Sequence, residues 1–459
     1  MCPSKNISWF FLINIVLLIN IKQAICQTNK NVKVYYNQEN IDNLILANKY
    51  DSAMRCLKNN IDNFKELKLS NKQLGQNFLT RGKLGVLTQI DSLTLSDLNN
   101  ADSLLKNQVR ASEDYIICLL NKALYFEKTF NISQAKYNYE LFFNLLPTIY
   151  SKTSLQYAGY ISYYAEFLKK NLEYNQSELL LWDALKIYKD SLDNKHEYIA
   201  RILGTLGSVK ALQNDRSSIN LFLQALEILN SNKNIPIFYD EKARIINNLA
   251  NVYSEIGSLE QADSCFNAVI DFFTQNVKID ETKFGISLFN YSNFLEQNGN
   301  YESSIEILMH ALAIFQNIKA KEYIIPIKIK LANCYFETKN KENSIKHLNE
   351  VLGDSLLQKI SVQSLPIRLN NIANIFSKLQ NYLMADSIFT VALKLMEGSK
   401  NFNKLNKLRT ISNLANCKFN LNQFKIADSL YTIACREKGK ILIKNTDSYL
   451  ESLFGYVQN

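Results

Sequence analysis

Apolar and small residues in this chain keep two periods at once. Inside each stretch of sequence they recur three or four positions apart, the spacing of one face of an α-helix. Between stretches, a small residue returns about every 42 positions: Ala123, Ala165, Gly207, Ala250, Ser292, Ala332, Ala373 and Ala415. A second small residue follows each one: Ala135, Ser177, Ser218, Ala262, Ser304, Ser344, Ala385 and Ala427. Its offset is 12 in seven units and 11 in the Gly207 unit. The unit near residue 250 shows what the pattern predicts. Leu249, Ala250 and Tyr253 line the apolar face of a first helix, and Gly257-Ser258 stops it. Leu259, Ala262, Phe266 and Val269 then line a second helix, with Ala250 and Ala262 small enough to let the two helices approach closely. One helical hairpin, copied and stacked, accounts for the whole arrangement.

The same order recurs in Tyr301, Ser304, Leu308 and Ala311, in Tyr382, Ala385, Phe389 and Ala392, and in Phe424, Ala427, Tyr431 and Ala434. This pattern resembles the tetratricopeptide repeat family, most clearly in Asn247–Tyr253, Leu331–Tyr335 and Tyr382–Phe389. Its period of about 42 is similar to that of kinesin light chains and of the arrays that precede caspase-like CHAT domains in bacterial proteins. The expected fold is all-α: a right-handed α-solenoid of nine or ten stacked helix-turn-helix hairpins. Residues 33–110 are read as divergent N-terminal hairpins, with Tyr50–Ala53 and Leu98–Ala101 as openings of second helices. Residues 111–440 are read as the repeat array. Lys210 and Lys418 replace the usual aromatic or aliphatic residue, so their hairpins are expected to be irregular. Residues 441–459 read as the first helix of a further repeat, either a cap or the start of something longer.

The N-terminus follows another logic. Lys5 precedes an apolar run from Trp9 to Ile21, and Ala24-Ile25-Cys26 supplies small residues around a cleavage point. At 13 residues the run is shorter than the roughly 20 a membrane-spanning helix needs. Residues 1–26 are therefore read as a signal peptide, with an uncleaved anchor as the alternative; a lipoprotein site at Cys26 is the weaker reading, because Ile25 stands where such signals carry Gly, Ala or Ser. The expected location is secreted or periplasmic, with no membrane insertion after cleavage. The net charge of +9 is spread among alternating acidic and basic positions, which gives no stripe for nucleic acid.

Reactive chemistry finds little support. His196, His310 and His347 form no ligand spacing, and no phosphate-binding loop or nucleophile elbow occurs. Cys334 and Cys417 hold the same position two repeats apart. At about 10 Å per stacked hairpin they are too far apart for a disulfide, so buried free thiols are expected. A non-enzyme without cofactor or metal is the resulting expectation.

The strongest functional constellation is asparagine. Asn251, Asn293, Asn333, Asn374 and Asn416 each follow the first small residue, and Asn248, Asn290, Asn371 and Asn413 lie one helical turn earlier. In tetratricopeptide arrays the first helices line a concave groove, so the resemblance implies two ladders of amides along it. Amides both donate and accept, which suits the backbone of an extended peptide. Arg244, Arg368 and Arg409, near the starts of first helices, would add attraction for acidic segments. Packing within the repeat is the competing use for these asparagines. Asn-x-Ser triplets at Asn131, Asn175 and Asn290 matter only where glycosylation operates. The function expected is an exported interaction scaffold that binds a peptide or protein partner. The alternative is the sensory or regulatory part of a signalling or CHAT protease system without its output domain.

Overall fold

The described residues form twenty α-helices and one 3₁₀ turn and no strand. The computed structural model describes residues 35–88, 92–106, 112–231, 239–275, 280–354, 357, 364–398 and 402–441. The expected signal segment and the expected helix of 446–459 lie outside them. The chain divides into two units between Asn194 and Lys195, inside the stretch that the repeat pattern treats as continuous.

Unit 1 holds α1 (Gln38–Leu46), α2 (Tyr50–Asp62), α3 (Asn71–Thr88), α4 (Ser92–Leu105), α5 (Glu113–Lys128), α6 (Ile132–Leu145), α7 (Leu155–Lys170) and α8 (Tyr174–Ser191). Unit 2 holds α9 (Glu197–Leu212), α10 (Ser217–Ser231), α11 (Tyr239–Glu255), α12 (Leu259–Gln275), α13 (Glu281–Gln297) and α14 (Tyr301–Asn317). It continues with α15 (Lys321–Glu337), α16 (Lys341–Leu352), α17 (Leu365–Lys378), α18 (Tyr382–Glu397), α19 (Lys404–Asn420) and α20 (Phe424–Ile441). Odd-numbered helices are the first of each hairpin and even-numbered ones the second, so each unit is an all-α stack of the solenoid class.

The small residues sit where the two helices of a hairpin cross. Ala123 and Ala135, Ala250 and Ala262, Ala373 and Ala385, and Ala415 and Ala427 are all fully buried. A serine in the second position adds a bond across the crossing. Ser177 Oγ donates to the Ala165 carbonyl at 2.7 Å, Ser304 to that of Ser292 at 3.2 Å, and Ser344 to that of Ala332 at 2.7 Å. Each spans 12 residues. The Gly207 unit, spaced by 11, is the exception: the buried Ser218 hydroxyl finds no partner. A Cβ on Gly207 would lie 2.7 Å from the Phe222 ring, so the shortened turn also explains why this crossing takes glycine.

The turn is equally regular. Seven residues after the first small residue, the backbone enters the left-handed region in all eight units: Phe130, Leu172, Asn214, Gly257, Gly299, Lys339, Gln380 and Asn422. Only two of these are glycine. The next residue caps the second helix in several hairpins, where Asn131, Asn300, Asn340 and Asn381 accept from the backbone N–H three residues on. The first hairpin follows the same rule, with Ile41, Asn48 at φ 56° and Ala53 in place, and Tyr50–Ala53 opens α2.

Three features depart from the sequence-based expectation. Leu98–Ala101 lies in the middle of α4 rather than at its opening, facing glycines of α3. A Cβ on Gly82 would meet Leu98 at 2.7 Å, so this hairpin crosses on glycines instead of the 12-spaced pair. Leu259 is 45% exposed, because the turn places it outside the face formed by Ala262, Phe266 and Val269. The Lys418 hairpin is regular: Lys418 reaches Asp386 Oδ2 at 3.0 Å and its helix continues unbroken, whereas the Lys210 hairpin is the one spaced by 11, irregular at Ser218 as expected, with Lys210 paired to Asp215 at 3.3 Å.

The interior between crossings is filled by large side chains. In unit 1, Tyr139, Tyr164 and Phe167 stack between α6 and α7. In unit 2, Ile372, Phe376, Phe389 and Leu348 anchor a cluster joining α15 to α19. Cys118, Cys334 and Cys417 are buried free thiols, as expected. No helix among the described residues is long and apolar enough to cross a membrane.

Two stability predictions follow from the crossing and the turn, both read as thermal unfolding midpoints by circular dichroism. Ser344→Ala removes a satisfied buried hydroxyl and should cost about 0.5–1.5 kcal/mol, whereas Ser218→Ala removes an unsatisfied one and should be neutral or stabilising. Leu172 is 72% exposed at φ 65°, so Leu172→Gly relieves a left-handed cost of roughly 1–2 kcal/mol and loses part of it to chain entropy. A raised midpoint is expected, and a lowered one would contradict the assignment.

Candidate functional site

The first helices of unit 2 form a row. α9 touches α11, α11 touches α13, α15 touches α17, and α17 touches α19. On this row the residue after each small residue, and the one two before it, stand side by side from repeat to repeat. Helical geometry dictates this, since the small residue faces the partner helix and its flanking positions turn outward. The predicted asparagines therefore occupy one face, and their hydrogen bonds divide them into two groups.

One group is already engaged. Asn248 Nδ2 donates to Ser208 Oγ of the preceding repeat at 2.9 Å, and Asn413 Nδ2 to Asn370 Oδ1 at 3.2 Å. Asn333 Nδ2 donates to Glu296 Oε1 at 2.6 Å, while its Oδ1 accepts from Lys378 Nζ at 3.1 Å. Asn416 Oδ1 accepts from the hydroxyl of Tyr431. These amides tie one repeat, or one helix, to the next.

The other group has no hydrogen-bond partner for its side chain among the described residues: Asn251, Asn290, Asn293, Asn371 and Asn374. The first three come together. They line a cleft of about 530 Å³ on the first-helix face, shared with Ser254, Glu255, Phe294, Glu296, Gln297 and Lys330. α11 and α13 supply its walls and α15 contributes Lys330. The volume lies in the range of ligand-binding clefts. Its polar charged groups are partly closed on themselves, for Lys330 pairs with Glu296.

The arginines are less concerted. Arg244 is held by Glu241 in an ion pair one turn earlier on α11. Arg409 is exposed on α19. Arg368 is half-buried, and its Nη1 has no hydrogen-bond partner. None of the three lines the cleft.

Sequence reasoning missed Ser254, Glu255, Glu296, Gln297 and Lys330. A signal for them exists: the first four lie four and five residues after Ala250 and Ser292, one turn beyond the amide ladder. Lys330 holds, in its own repeat, the place that Asn248 and Asn290 hold in theirs. Extending the ladder by one turn would have found them.

The chemistry of a reactive centre is not prepared here. Burial pushes the Cys118 thiol up to about 12 and the Cys334 and Cys417 thiols up to about 11, the reverse of what a thiolate nucleophile requires. His196 caps α9, where its Nδ1 accepts from the backbone of Tyr198. His310 and His347 lie on α14 and α16; burial holds the His347 imidazole below its usual range. Among the described residues, no group of three or more His, Cys, Asp or Glu side chains is placed to hold a metal ion.

Comparison with known proteins adds the family. Tetratricopeptide repeat sequences match at residues 243–275 and 286–318, the two hairpins whose first helices wall the cleft. No curated protein matches this sequence. Among solved structures, BtubC (BKLC) from P. vanneervenii aligns at 17% identity and a TM-score of 0.45, over 50% of this chain and 92% of that one. A Rap protein complexed with competence and sporulation factor aligns at 12% identity and a TM-score of 0.44, over 92% of this chain and 94% of that one. A putative kinesin light chain from Podosopora anserina aligns at 15% identity and a TM-score of 0.38, over 44% and 97%. Two tetratricopeptide repeats are thus matched by sequence, and the same crossing and turn recur along the described residues, so this chain carries tetratricopeptide repeats.

Proposed function

We propose that the chain is a non-catalytic interaction scaffold that holds an extended peptide segment of a partner protein in the cleft between α11 and α13. The observation that carries this reading is that Asn251, Asn290 and Asn293, which share one cleft, have no side-chain hydrogen-bond partner among the described residues. An amide that neither donates nor accepts within the protein is available to the N–H and C=O groups of a bound backbone. The engaged amides hold the neighbouring helices in place, so the cleft is formed before the ligand arrives and little ordering cost falls on binding. The N-terminal segment from Lys5 to Cys26 belongs to the same proposal as an export signal, which would put the scaffold and its partner outside the cytoplasm.

Selection of random peptides displayed on phage, against the immobilised chain, tests this directly. Enriched peptides should lose roughly tenfold or more in affinity for an Asn251→Ala, Asn290→Ala, Asn293→Ala variant, the scale of two or three lost hydrogen bonds. Asn413→Ala, remote from the cleft, should lower the unfolding midpoint and leave affinity unchanged. Enriched peptides that bind the triple variant as well as the parent would refute the reading.

A further inference from the structure

The charges of the cleft indicate what kind of segment it takes. Three charged side chains line it: Glu255, Glu296 and Lys330. Glu296 is satisfied on both oxygens, by Lys330 through Oε2 and by Asn333 through Oε1 at 2.6 Å. The ammonium of Lys330 is thereby committed, and it also lies over the Phe289 ring, 5.7 Å from its centroid. Glu255 is different. It is exposed and has no ion-pair or hydrogen-bond partner among the described residues. One carboxylate is left uncompensated in a cleft that also presents the amides of Asn251, Asn290, Asn293 and Gln297.

Helix geometry adds to it. Ser254 and Glu255 are the last two residues of α11, and Glu296 and Gln297 are the last two of α13. The cleft therefore sits against two helix C-termini, the negative ends of their dipoles, which favour a cation. Phe294, also in the lining, is 6% exposed and leaves only a small apolar edge for the methylene stem of a long basic side chain.

We infer that the bound segment carries a lysine or arginine whose charged head pairs with Glu255, while the free amides hold the backbone on either side. This inference rests on the peptide-binding reading above. It is opposite in sign to the attraction for acidic segments that the first-helix arginines imply from sequence.

The test uses the full chain and synthetic pools of capped fluorescent hexapeptides. In each pool one position is fixed as Lys, Arg, norleucine or Glu and the rest are random. Fluorescence anisotropy should rank the Lys and Arg pools about fivefold tighter than norleucine at one fixed position, with Glu weakest. Glu255→Gln should bring the basic pools down to the norleucine pool, and Glu255→Lys should reverse the order. Raising the salt from 0.05 to 0.5 M, as a matter of experimental design, should shrink the preference, because an exposed pair is screened within about 10 Å at 0.1 M. Pools that bind equally and lose affinity only in the triple asparagine variant would overturn the basic-residue inference and leave the peptide reading standing. Binding that ignores the asparagines would overturn both, as would no binding by any pool.

Discussion

Everything in this chain depends on how closely two helices of a hairpin can cross. At the crossing there is room for a methyl group, a hydroxymethyl group or a hydrogen, and both residues there are buried. Fixing that contact fixes the rest of the unit. The left-handed turn falls seven residues later, the second small residue falls five after it, and the hydroxyl of a serine there reaches back to the carbonyl of the first. When one residue is missing, as between Gly207 and Ser218, the helices still cross, but the hydroxyl is stranded and the first residue has to be glycine. The chain tolerates a left-handed leucine, phenylalanine or lysine at the turn because the contact on either side determines it.

The candidate site is a consequence of that register. Because each first helix meets its partner through the same residue, the flanking positions recur on the opposite face in every repeat. Amides one position after and two before that residue then come to lie beside those of the next helix, and so do the residues one turn beyond. Polar bonds between repeats, above all Glu296 to Lys330 and Asn333, and Lys378 to Asn333 and Glu337, join α13, α15 and α17 along this face. The cleft is what remains where those bonds stop and the amides face open space.

Much of this was legible in the sequence, and the reason is physical. A steric requirement repeated at one spacing leaves a clear trace, so the small-residue pairs, the hairpins and the face of asparagines could all be read. The N-terminal hairpin α3–α4 could not, because its close approach uses Gly82 and Gly85 without the 12-residue pair. Lys418 misled for a different reason: a long side chain can reach Asp386 of the preceding helix, which position alone does not reveal. Asparagine was the hardest case. Asn131 and Asn381 cap helices, Asn333 and Asn413 bind neighbouring repeats, and the side chains of Asn251 and Asn293 have no hydrogen-bond partner among the described residues. The residue type is the same in all three uses, and only the three-dimensional partners separate them.

The central claim is that the unpartnered amides, and not the engaged ones, receive a ligand. A crystal structure of the chain with the tightest peptide from the selection would test it most directly. The account predicts peptide backbone N–H and C=O groups within hydrogen-bond distance of Asn251, Asn290 and Asn293. It also predicts that the bonds from Asn333 to Glu296 and from Asn413 to Asn370 remain intact. A peptide seated on the second-helix face, or one that displaces Asn333 from Glu296 while leaving Asn251, Asn290 and Asn293 untouched, would contradict it.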